Sequence, residues 1–361
     1  MIAPGDARSE ETVWPFSRSV LLAGLRRYLV APRLRLVDLQ PIPLPDDLPG
    51  RGAEGSSELR SLAVKVDIDG DVRHLALVLK YPPVSEKGRV LSAVGQREYG
   101  IYRRLAPHLP VLVPGLVAGD PDEGWIVVEA LAALRPMAEW TRTDYEEALT
   151  NLAVLHDRFW GLGEDLAIFP WLARPLDTDY RATVMAAASA LQKLIQEESL
   201  PVLVSPRNFR AFATLVQQAD EIARVLREET HTLLHGDYWP GNIGCPAGGR
   251  QIIYDWQRAS IGPAILDLQV FVLTSAVLLD PPLTASEMIA FYRREMAARL
   301  ETGWDDARFA LIWDYGLMWQ FLAYWLRRLA AMTPEVYAEH LAPRFEAVWL
   351  QPVLDALARR L

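Results

Sequence analysis

The pattern of apolar residues changes once along this chain, and the change limits the folds that the chain can adopt. Before Glu129, short runs alternate between apolar and polar residues and are separated by turns rich in Gly and Pro, which is typical of strands. After Pro136, apolar residues recur every three or four positions, which is typical of helices. We therefore predict an α+β fold, with a small antiparallel sheet and one helix in the first part and a larger, mainly helical second part.

The first part contains five candidate strands and one long candidate helix. The dipeptide Asp69-Gly70 predicts a tight hairpin turn between the second and third strands. The predicted strands span residues 34–44, 59–67, 72–81, 111–117 and 125–128. The predicted helix spans residues 85–105 and carries Glu98 on its apolar face. A carboxylate that faces a core is costly unless it is paired, so Glu98 needs a cationic partner.

The second part is predicted to be helical along most of its length. Two capping boxes, Thr143-x-x-Glu146 and Thr284-x-x-Glu287, indicate where two of the helices begin. The other helices are predicted at residues 182–198, 207–229, 307–331 and 334–360. Clear strand patterns in this part are limited to Leu233-Leu234 and residues 251–254.

Length and charge narrow the classes of function. A chain of 361 residues predicts two domains, which we place at residues 1–130 and 131–361, with residues 1–18 as a loose tail. The net charge of −9 argues against nucleic-acid binding, which usually needs a basic face. The central apolar run 268–279 is too short to span a bilayer, and residues 1–16 do not resemble a signal peptide. We expect a cytoplasmic protein that binds neither nucleic acid nor membrane; its oligomeric state is not readable.

Residues suited to phosphate chemistry are concentrated between positions 233 and 256. His235-Gly236-Asp237 is followed by Asn242, and a short apolar strand then leads into Asp255. Asp237 and Asn242 can converge on one loop, and the intervening turn and strand can bring Asp255 back beside them. Two carboxylates and an amide oxygen suit a hard divalent cation such as Mg²⁺. A further carboxylate near the metal can accept a proton from an attacking hydroxyl group.

The pattern His-Gly-Asp-x-x-x-x-Asn followed by Asp-Trp resembles the aminoglycoside phosphotransferase and choline-kinase-like family. The resemblance covers residues from about 34 to about 330 and implies a two-lobed protein-kinase-like fold. It implies that Asp237 is the catalytic base and that Asn242 and Asp255 are the Mg²⁺ ligands. These roles match the parts that phosphoryl transfer generally uses, in which the metal and the positioning of the reactants supply most of the rate.

The same resemblance assigns residues of the first part to nucleotide binding. Lys80 ends a predicted strand, where kinase-like folds place a lysine that a helix glutamate holds. Pairing Lys80 with Glu98 would satisfy the buried carboxylate and place an ammonium group over the ATP phosphates. The Gly-rich loop 50–57 occupies the position of the family's phosphate loop, in which Ser56 or Ser57 would cap a phosphate.

The connection between the two parts would contact the nucleotide base. By resemblance alone, this connection contains Glu129 and Leu131. Backbone groups usually read adenine there, so both ATP and GTP stay open as phosphate donors. Two further residues are interpreted as structural supports: His235 would orient the catalytic loop through hydrogen bonds, and Asp267 would anchor that loop.

We expect an enzyme that moves the γ-phosphoryl group of ATP to a hydroxyl group of a small molecule. The acceptor classes that the resemblance implies are antibiotics such as aminoglycosides, choline-like amines and sugar metabolites. Only residues 256–266 separate Asp255 from Asp267, which is too short for an activation segment, so a protein acceptor is disfavoured. The alternative is a nucleotide-binding pseudokinase that acts through protein partners, although the lysine, the base and both metal ligands are present.

A group of aromatic and acidic residues allows two interpretations. Asp314, Tyr315, Trp319 and Trp239 either line an acceptor pocket or belong to the core. A pocket with aromatic walls and an acidic group would suit a cationic or sugar-like substrate. The sequence favours core packing and leaves both interpretations open.

Overall fold

The structure, a computed structural model, describes residues 14–43, 57–84, 92–197, 200, 205–300 and 303–361. The chain divides into two units, one formed by Met1–Tyr102 with Pro114–Ala130 and the other by Arg103–Val113 with Leu131–Leu361. The first unit contains an antiparallel sheet and the second is mainly helical, which confirms the predicted fold class. The placement of the domain boundary after residue 130 stays a prediction.

The described residues of the first unit form five strands and two α-helices. The strand order in the sheet is β1-β2-β3-β5-β4, and all neighbours are antiparallel. The elements are α1 (Arg18–Tyr28), β1 (Arg35–Ile42), β2 (Leu59–Ile68), β3 (Asp71–Lys80), α2 (Ser92–Gly100), β4 (Leu116–Gly119) and β5 (Ile126–Glu129). Residues 85–91 of the predicted helix lie outside the described part, and α2 continues into a wider π-helical turn at Ile101–Leu105.

The hairpin between β2 and β3 forms at the predicted dipeptide. Asp69 and Gly70 both have positive φ angles, of 52° and 92°, as a two-residue hairpin turn requires. Side chains alternate along a strand, so Leu62, Val64 and Val66 of β2 share one face and are buried there together with residues of α1. The sheet therefore has a defined inner face.

The strand predicted at residues 111–117 is wrong over most of its length, because β4 begins only at Leu116. Pro110 and Pro114 have no backbone N–H group to give to a sheet. Leu112 belongs instead to the second unit, where its carbonyl accepts a hydrogen bond from the Ile253 backbone at 2.8 Å. The apolar residues of this stretch are therefore divided between the two units: those up to Val113 belong to the second unit, and those from Leu116 belong to the first.

The second unit contains twelve helices and two small antiparallel ladders among its described residues. Its strands are β6 (His231–Leu234), β7 (Ile243–Gly244), β8 (Ile252–Ile253) and β9 (Ser260–Pro263), with β6 paired to β9 and β7 paired to β8. Its helices are α3 (Arg142–Arg158), α4 (Gly163–Leu166), α5 (Tyr180–Glu197), α6 (Pro206–Gln217), α7 (Ala219–Arg227), α8 (Ile265–Leu278), α9 (Ala285–Leu300), α10 (Asp306–Gln320), α11 (Leu326–Ala330), α12 (Pro334–His340), α13 (Ala342–Phe345) and α14 (Gln351–Arg360).

Three details of the helical prediction change. The capping box of α3 uses Thr141 and Asp144 and begins two residues before the predicted Thr143 and Glu146. The helix predicted at 207–229 breaks at Gln218 into α6 and α7. Helix α8 was not predicted. Most of its residues are apolar and buried, so the sequence lacks the alternation of apolar and polar faces, every three or four residues, by which a helix is recognised.

The predictions of residues 307–331 and 334–360 as single helices also change. In each, a π-helical turn separates shorter α-helices, at Phe321–Trp325 and at Glu346–Leu350. The capping box at Thr284 is confirmed, since its hydroxyl and backbone N–H both donate to the Glu287 carboxylate at 2.8 Å. Within the described residues, no helix is long and apolar enough to cross a membrane.

Candidate active site

The loop that carries Asp237 follows β6 and is fixed by one buried carboxylate. The Asp267 carboxylate, in the first turn of α8, accepts hydrogen bonds from the backbone N–H groups of His235 at 2.7 Å and Gly236 at 2.9 Å. Asp267 is 1% exposed, so these two bonds replace the water that the charge would otherwise need. The predicted role of Asp267 as an anchor of this loop is confirmed.

His235 links the loop to the strand that precedes Asp255. Its Nε2 lies 3.0 Å from the Tyr254 carbonyl oxygen, and its Nδ1 accepts the backbone N–H of Asp237 at 3.2 Å. Since one nitrogen faces an acceptor and the other faces a donor, the ring is neutral with its proton on Nε2. Burial lowers the pKa of His235, which agrees with the neutral form. The predicted orienting role is confirmed.

Gly236 is required by both conformation and space. Its φ is +79°, and a Cβ built there would lie 2.1 Å from the carbonyl oxygen of Arg258. No other residue fits without moving that backbone segment, so the residue before Asp237 packs directly against the segment after Asp255.

Asp237 and Asn242 meet at the end of the loop, as predicted. The Asn242 side-chain nitrogen donates to the Asp237 carbonyl oxygen at 2.8 Å and to its carboxylate at 3.1 Å. Both bonds use the amide nitrogen, which leaves the carboxamide oxygen of Asn242 as a potential metal donor. Asn242 is buried and Asp237 is half-buried.

The β7–β8 ladder returns the chain to Asn242 just before Asp255. The Tyr254 backbone N–H donates to the Asn242 carbonyl at 3.0 Å, so Asp255 follows the residue that bonds to Asn242. Asp255 has a left-handed φ of 64°, which places it at a sharp turn out of the ladder. The spacing of the residues predicted that the chain brings Asp255 back toward Asn242, and the β7–β8 ladder does this. No three His, Cys, Asp or Glu side chains cluster as a metal site in the described ranges.

Lys80 and Glu98 form the predicted ion pair in the first unit. The Lys80 Nζ lies 2.7 Å from a Glu98 carboxylate oxygen, and the side chains are 13% and 4% exposed. The Tyr102 hydroxyl donates to the other Glu98 oxygen at 3.1 Å. The pair answers the question that the sequence raised, namely what balances a carboxylate on the apolar face of this helix.

The other residues predicted to bind the nucleotide are Ser56, Ser57, Glu129 and Leu131. Ser56 lies outside the described residues, and Ser57 precedes β2. Glu129 accepts a hydrogen bond from the Tyr28 hydroxyl and donates its backbone N–H to the Gly115 carbonyl at 3.0 Å. Its carboxylate and N–H therefore both serve the first unit.

Leu131 belongs to the second unit. Its side chain lies beside Gly244 of β7, where an added Cβ would come within 3.3 Å of it. The roles proposed for Leu131 and Glu129 in binding adenine stay predictions.

The structure favours core packing for the aromatic and acidic group. Asp314 is 4% exposed, and its carboxylate accepts hydrogen bonds from Arg359 at 2.7 Å and Arg360 at 2.8 Å. Trp319 is buried and stacked on Tyr180. Because two arginines neutralise Asp314, this carboxylate has no charge to offer a cationic acceptor.

Two buried tyrosines support the site and were not predicted. The Tyr238 hydroxyl donates to the Ala148 carbonyl at 2.7 Å and ties the loop to α3. The Tyr292 hydroxyl lies 2.6 Å from Nδ1 of His156, whose Nε2 lies 3.5 Å from the Asp267 carboxylate. The available sequence signal was weak, because the polar partner of each tyrosine is distant in the chain.

Comparisons with known proteins identify the family and a similar fold. The sequence model of the phosphotransferase enzyme family matches residues 58–310. A comparison with curated proteins found no significant match. The crystal structure of LicA in complex with AMP is similar in fold, with a TM-score of 0.53 at 13% identity over 95% of this chain and 99% of that chain.

Two other solved structures match with lower scores. The choline kinase LicA from Streptococcus pneumoniae gives a TM-score of 0.49 at 12% identity, covering 93% of this chain and 96% of that chain. The macrolide 2'-phosphotransferase MphH from Brachybacterium faecium gives 0.47 at 19% identity, covering 87% of this chain and 96% of that chain.

Proposed function

Because this chain belongs to the phosphotransferase enzyme family, we propose that it transfers the γ-phosphoryl group of ATP to a hydroxyl group of a small molecule, with Mg²⁺ as the metal. The observation that carries the proposal is the bonding of Asn242 to both the backbone and the carboxylate of Asp237, beside the ladder that leads to Asp255. This arrangement supplies one proton acceptor and two oxygen donors on a loop that buried groups hold in place.

Asp237 accepts or orients the proton of the acceptor hydroxyl in this proposal. The Asn242 amide holds one carboxylate oxygen of Asp237, and the His235 ring holds its backbone. A positioned carboxylate of this kind typically contributes about 10²–10⁴-fold to a proton-transfer step. The fixed loop is what makes the carboxylate effective, since the cost of orienting it is met by folding.

Asn242 and Asp255 would hold Mg²⁺. Their donors, an amide oxygen and a carboxylate, fit this cation, which prefers oxygen ligands and keeps waters and substrate phosphates in its remaining positions. A site with only two protein ligands also agrees with the lack of a larger His, Cys, Asp or Glu cluster in the described part of the chain. When bound, Mg²⁺ would neutralise charge on the phosphates.

Lys80 would contact the ATP phosphates, with Glu98 as the residue that positions it. The ion pair places the ammonium group at the end of β3 in a fixed orientation. The backbone near Glu129 and Leu131 would contact adenine, and Ser57 with the Gly-rich loop would approach the phosphates. We place the reaction in the cytoplasm, where ATP is available, and GTP stays open as an alternative donor.

A small-molecule acceptor is supported by the short segment between Asp255 and Asp267. It forms a turn, strand β9 and the start of α8, which leaves no length for a peptide platform. The similar structures include enzymes named for choline and a macrolide as acceptors. The pseudokinase alternative gains no support, since the lysine, the proposed base and both proposed ligands are retained.

The proposal is tested by a mass-spectrometric screen of the full-length protein with Mg-ATP and a mixed panel of hydroxyl compounds. We expect at least one compound to gain one phosphate, and we expect slow Mg²⁺-dependent ATP hydrolysis in its absence. Asp255→Ala should abolish both reactions, while the exposed Asp306→Ala should change neither. ATP hydrolysis that is absent, or that survives in Asp255→Ala, would refute the assignment.

A further inference from the structure

Two arginines of the second unit contact one tyrosine, Tyr324, and a third arginine is next to one of them in the chain. The Arg258 guanidinium lies over the Tyr324 ring, 4.1 Å from its centroid, and Arg328 donates to the Tyr324 hydroxyl at 2.6 Å. Arg327 is the neighbour of Arg328 on α11. We call Arg258, Arg327 and Arg328 the arginine cluster.

The arginine cluster has no acidic partner among the described residues. Several other arginines of this unit contact carboxylates, as Arg135 does with Asp144 and Arg359 with Asp314. Arg258 and Arg328 instead contact aromatic groups. In a chain with a net charge of −9, three neighbouring cations without an acidic partner are a local reversal of charge.

The positive charges of the cluster act on one another. Arg327 is exposed to solvent, yet desolvation by the surrounding protein lowers its pKa, and the positive charge of Arg258 lowers it further. An anion bound here would relieve this repulsion between the arginines. The π-helical turn Phe321–Trp325 carries Tyr324, and such turns are frequent at functional sites.

The arginine cluster is connected to the catalytic loop through Arg258. Gly236 packs against the backbone of Arg258, whose carbonyl oxygen would lie 2.1 Å from a Cβ at Gly236. Arg258 ends the short turn that begins immediately after Asp255. The backbone of Arg258 therefore contacts the loop that carries Asp237, and its guanidinium group contacts Tyr324, which lies just before α11.

We propose that the arginine cluster binds a negatively charged group of the phosphate acceptor, so that the substrate is an anionic hydroxy compound. This inference rests on the proposed function, because it concerns the acceptor of that reaction. Arginine suits the task, since its planar guanidinium makes paired hydrogen bonds to carboxylate or phosphate oxygens. Arg327 and Arg328 are the specificity-determining residues, and Arg258 connects them to the catalytic loop.

The same cluster disfavours cationic acceptors. A positively charged amine beside three guanidinium groups would meet repulsion at the cluster, and the Asp314 carboxylate is already neutralised by two arginines. The inference therefore separates this chain from enzymes that act on choline-like amines or aminoglycosides, although the fold is similar.

The test compares acceptors that differ in charge. The wild-type protein is incubated with Mg-ATP and three sets of small hydroxyl compounds: anionic (hydroxy acids and sugar phosphates in separate arms), neutral (sugars) and cationic (amino alcohols and aminoglycosides). We expect phosphate gain in an anionic arm, and the arm that reacts distinguishes a carboxylate from a phosphate as the recognised group. Turnover of cationic acceptors alone would overturn the inference while leaving the proposed function intact.

Charge-reversal variants test whether Arg327 and Arg328 bind the anionic group of the acceptor. Arg327→Glu and Arg328→Glu should each raise KM for the anionic acceptor by at least about tenfold, as expected when a charged hydrogen bond is lost. Arg327→Lys should retain part of the affinity. Arg294→Glu is the matched control, because Arg294 is also an exposed helical arginine over an aromatic ring, and it should leave KM unchanged. Equal effects in the cluster and control variants would contradict the inference.

A binding measurement decides the case in which no acceptor of the panel reacts. Sulfate is titrated into the protein saturated with Mg²⁺ and a non-hydrolysable ATP analogue, and tryptophan fluorescence is followed, since Trp325 lies under Arg328. We expect saturable binding that Arg294→Glu retains and the double variant Arg327→Glu/Arg328→Glu loses. Sulfate binding that is absent in the wild type, or unchanged in the double variant, would overturn the inference. Missing ATP hydrolysis would instead refute the proposed function.

Discussion

Two regions of the second unit are built around a buried aspartate on a helix, yet they have different partners. Asp267 accepts two backbone N–H groups of the loop that carries Asp237. Asp314 accepts side-chain donors from Arg359 and Arg360, which are 53% and 28% exposed. The Asp267 carboxylate is the acceptor for backbone N–H groups of a loop. The Asp314 carboxylate instead binds two arginine side chains of α14, which are partly exposed and can also be solvated by water.

The difference teaches that burial of a carboxylate does not identify its role, and that its partners do. Glu98 extends the comparison to the first unit, since its partners are two side chains, the Tyr102 hydroxyl and the Lys80 ammonium group that we assign to phosphate binding. Loss of each carboxylate should therefore affect a different quantity: loop structure, nucleotide affinity or stability alone.

Among these three carboxylates and their partners, the largest effect is expected for Asp267→Ala. The substitution leaves the buried N–H of His235 and the partly buried N–H of Gly236 without acceptors, at about 1–3 kcal/mol each, so the free energy of unfolding should fall by about 2–6 kcal/mol. Phosphate transfer per folded molecule should also fall by about 10²-fold, because the loop loses its position. Urea denaturation and the transfer rate measure the two losses. A folded variant with the wild-type transfer rate would contradict the claim that Asp267, unlike Asp314, positions the loop that carries Asp237.

A smaller loss is expected for Lys80→Ala. Removal of a charged hydrogen-bond donor to the phosphates should raise KM for ATP by about 10–100-fold. Glu98→Gln keeps the shape of the partner and should give a smaller rise, because the lysine stays but is less firmly held. Steady-state kinetics at varied ATP concentration measures both variants. An unchanged KM in Lys80→Ala would remove Lys80 from the nucleotide site.

His235 should make the protein sensitive to mild acid. Burial lowers its native pKa, against the opposing charges of Asp267 and Asp237, whereas in the unfolded chain the pKa is about 6.5. Below about pH 6.5 the unfolded chain binds a proton that the native ring does not, so the free energy of unfolding falls as the pH falls. Urea denaturation at pH 7.5 and 5.5 should show this loss, and His235→Asn should show less of it. Equal losses would contradict a neutral native His235.

The smallest effect is expected for Asp314→Asn. Its two arginine partners can turn toward water, so the free energy of unfolding should fall by only about 1 kcal/mol, as for a solvated ion pair. The transfer rate and KM for the acceptor should not change. A rise in acceptor KM would revive the interpretation of Asp314 as part of an acceptor pocket.

The sequence predicted those parts of the structure that depend on local pattern. The spacing of Asp237, Asn242 and Asp255 is short enough that one loop and one ladder bring them together. The pairing of Lys80 with Glu98 was predictable because an apolar helix face carried an unexplained charge. The capping box at Thr284 was predictable from four residues.

Other features depend on contacts that no local pattern records. Helix α8 has no polar face, and the apolar residues near Leu112 serve a different unit from Leu116. The arginine cluster joins Arg258 to Arg328 across a long stretch of chain, so only the folded structure brings them to one tyrosine.

The most direct test of the central claim is the transfer rate of Asp237→Asn together with its affinity for Mg-ATP. The substitution keeps the shape of the side chain and removes its ability to accept a proton. We predict that transfer falls by about 10²–10⁴-fold, while nucleotide affinity stays within about twofold, since Lys80, Asn242 and Asp255 are retained. Transfer at the wild-type rate would contradict the assignment of Asp237 as the proton acceptor.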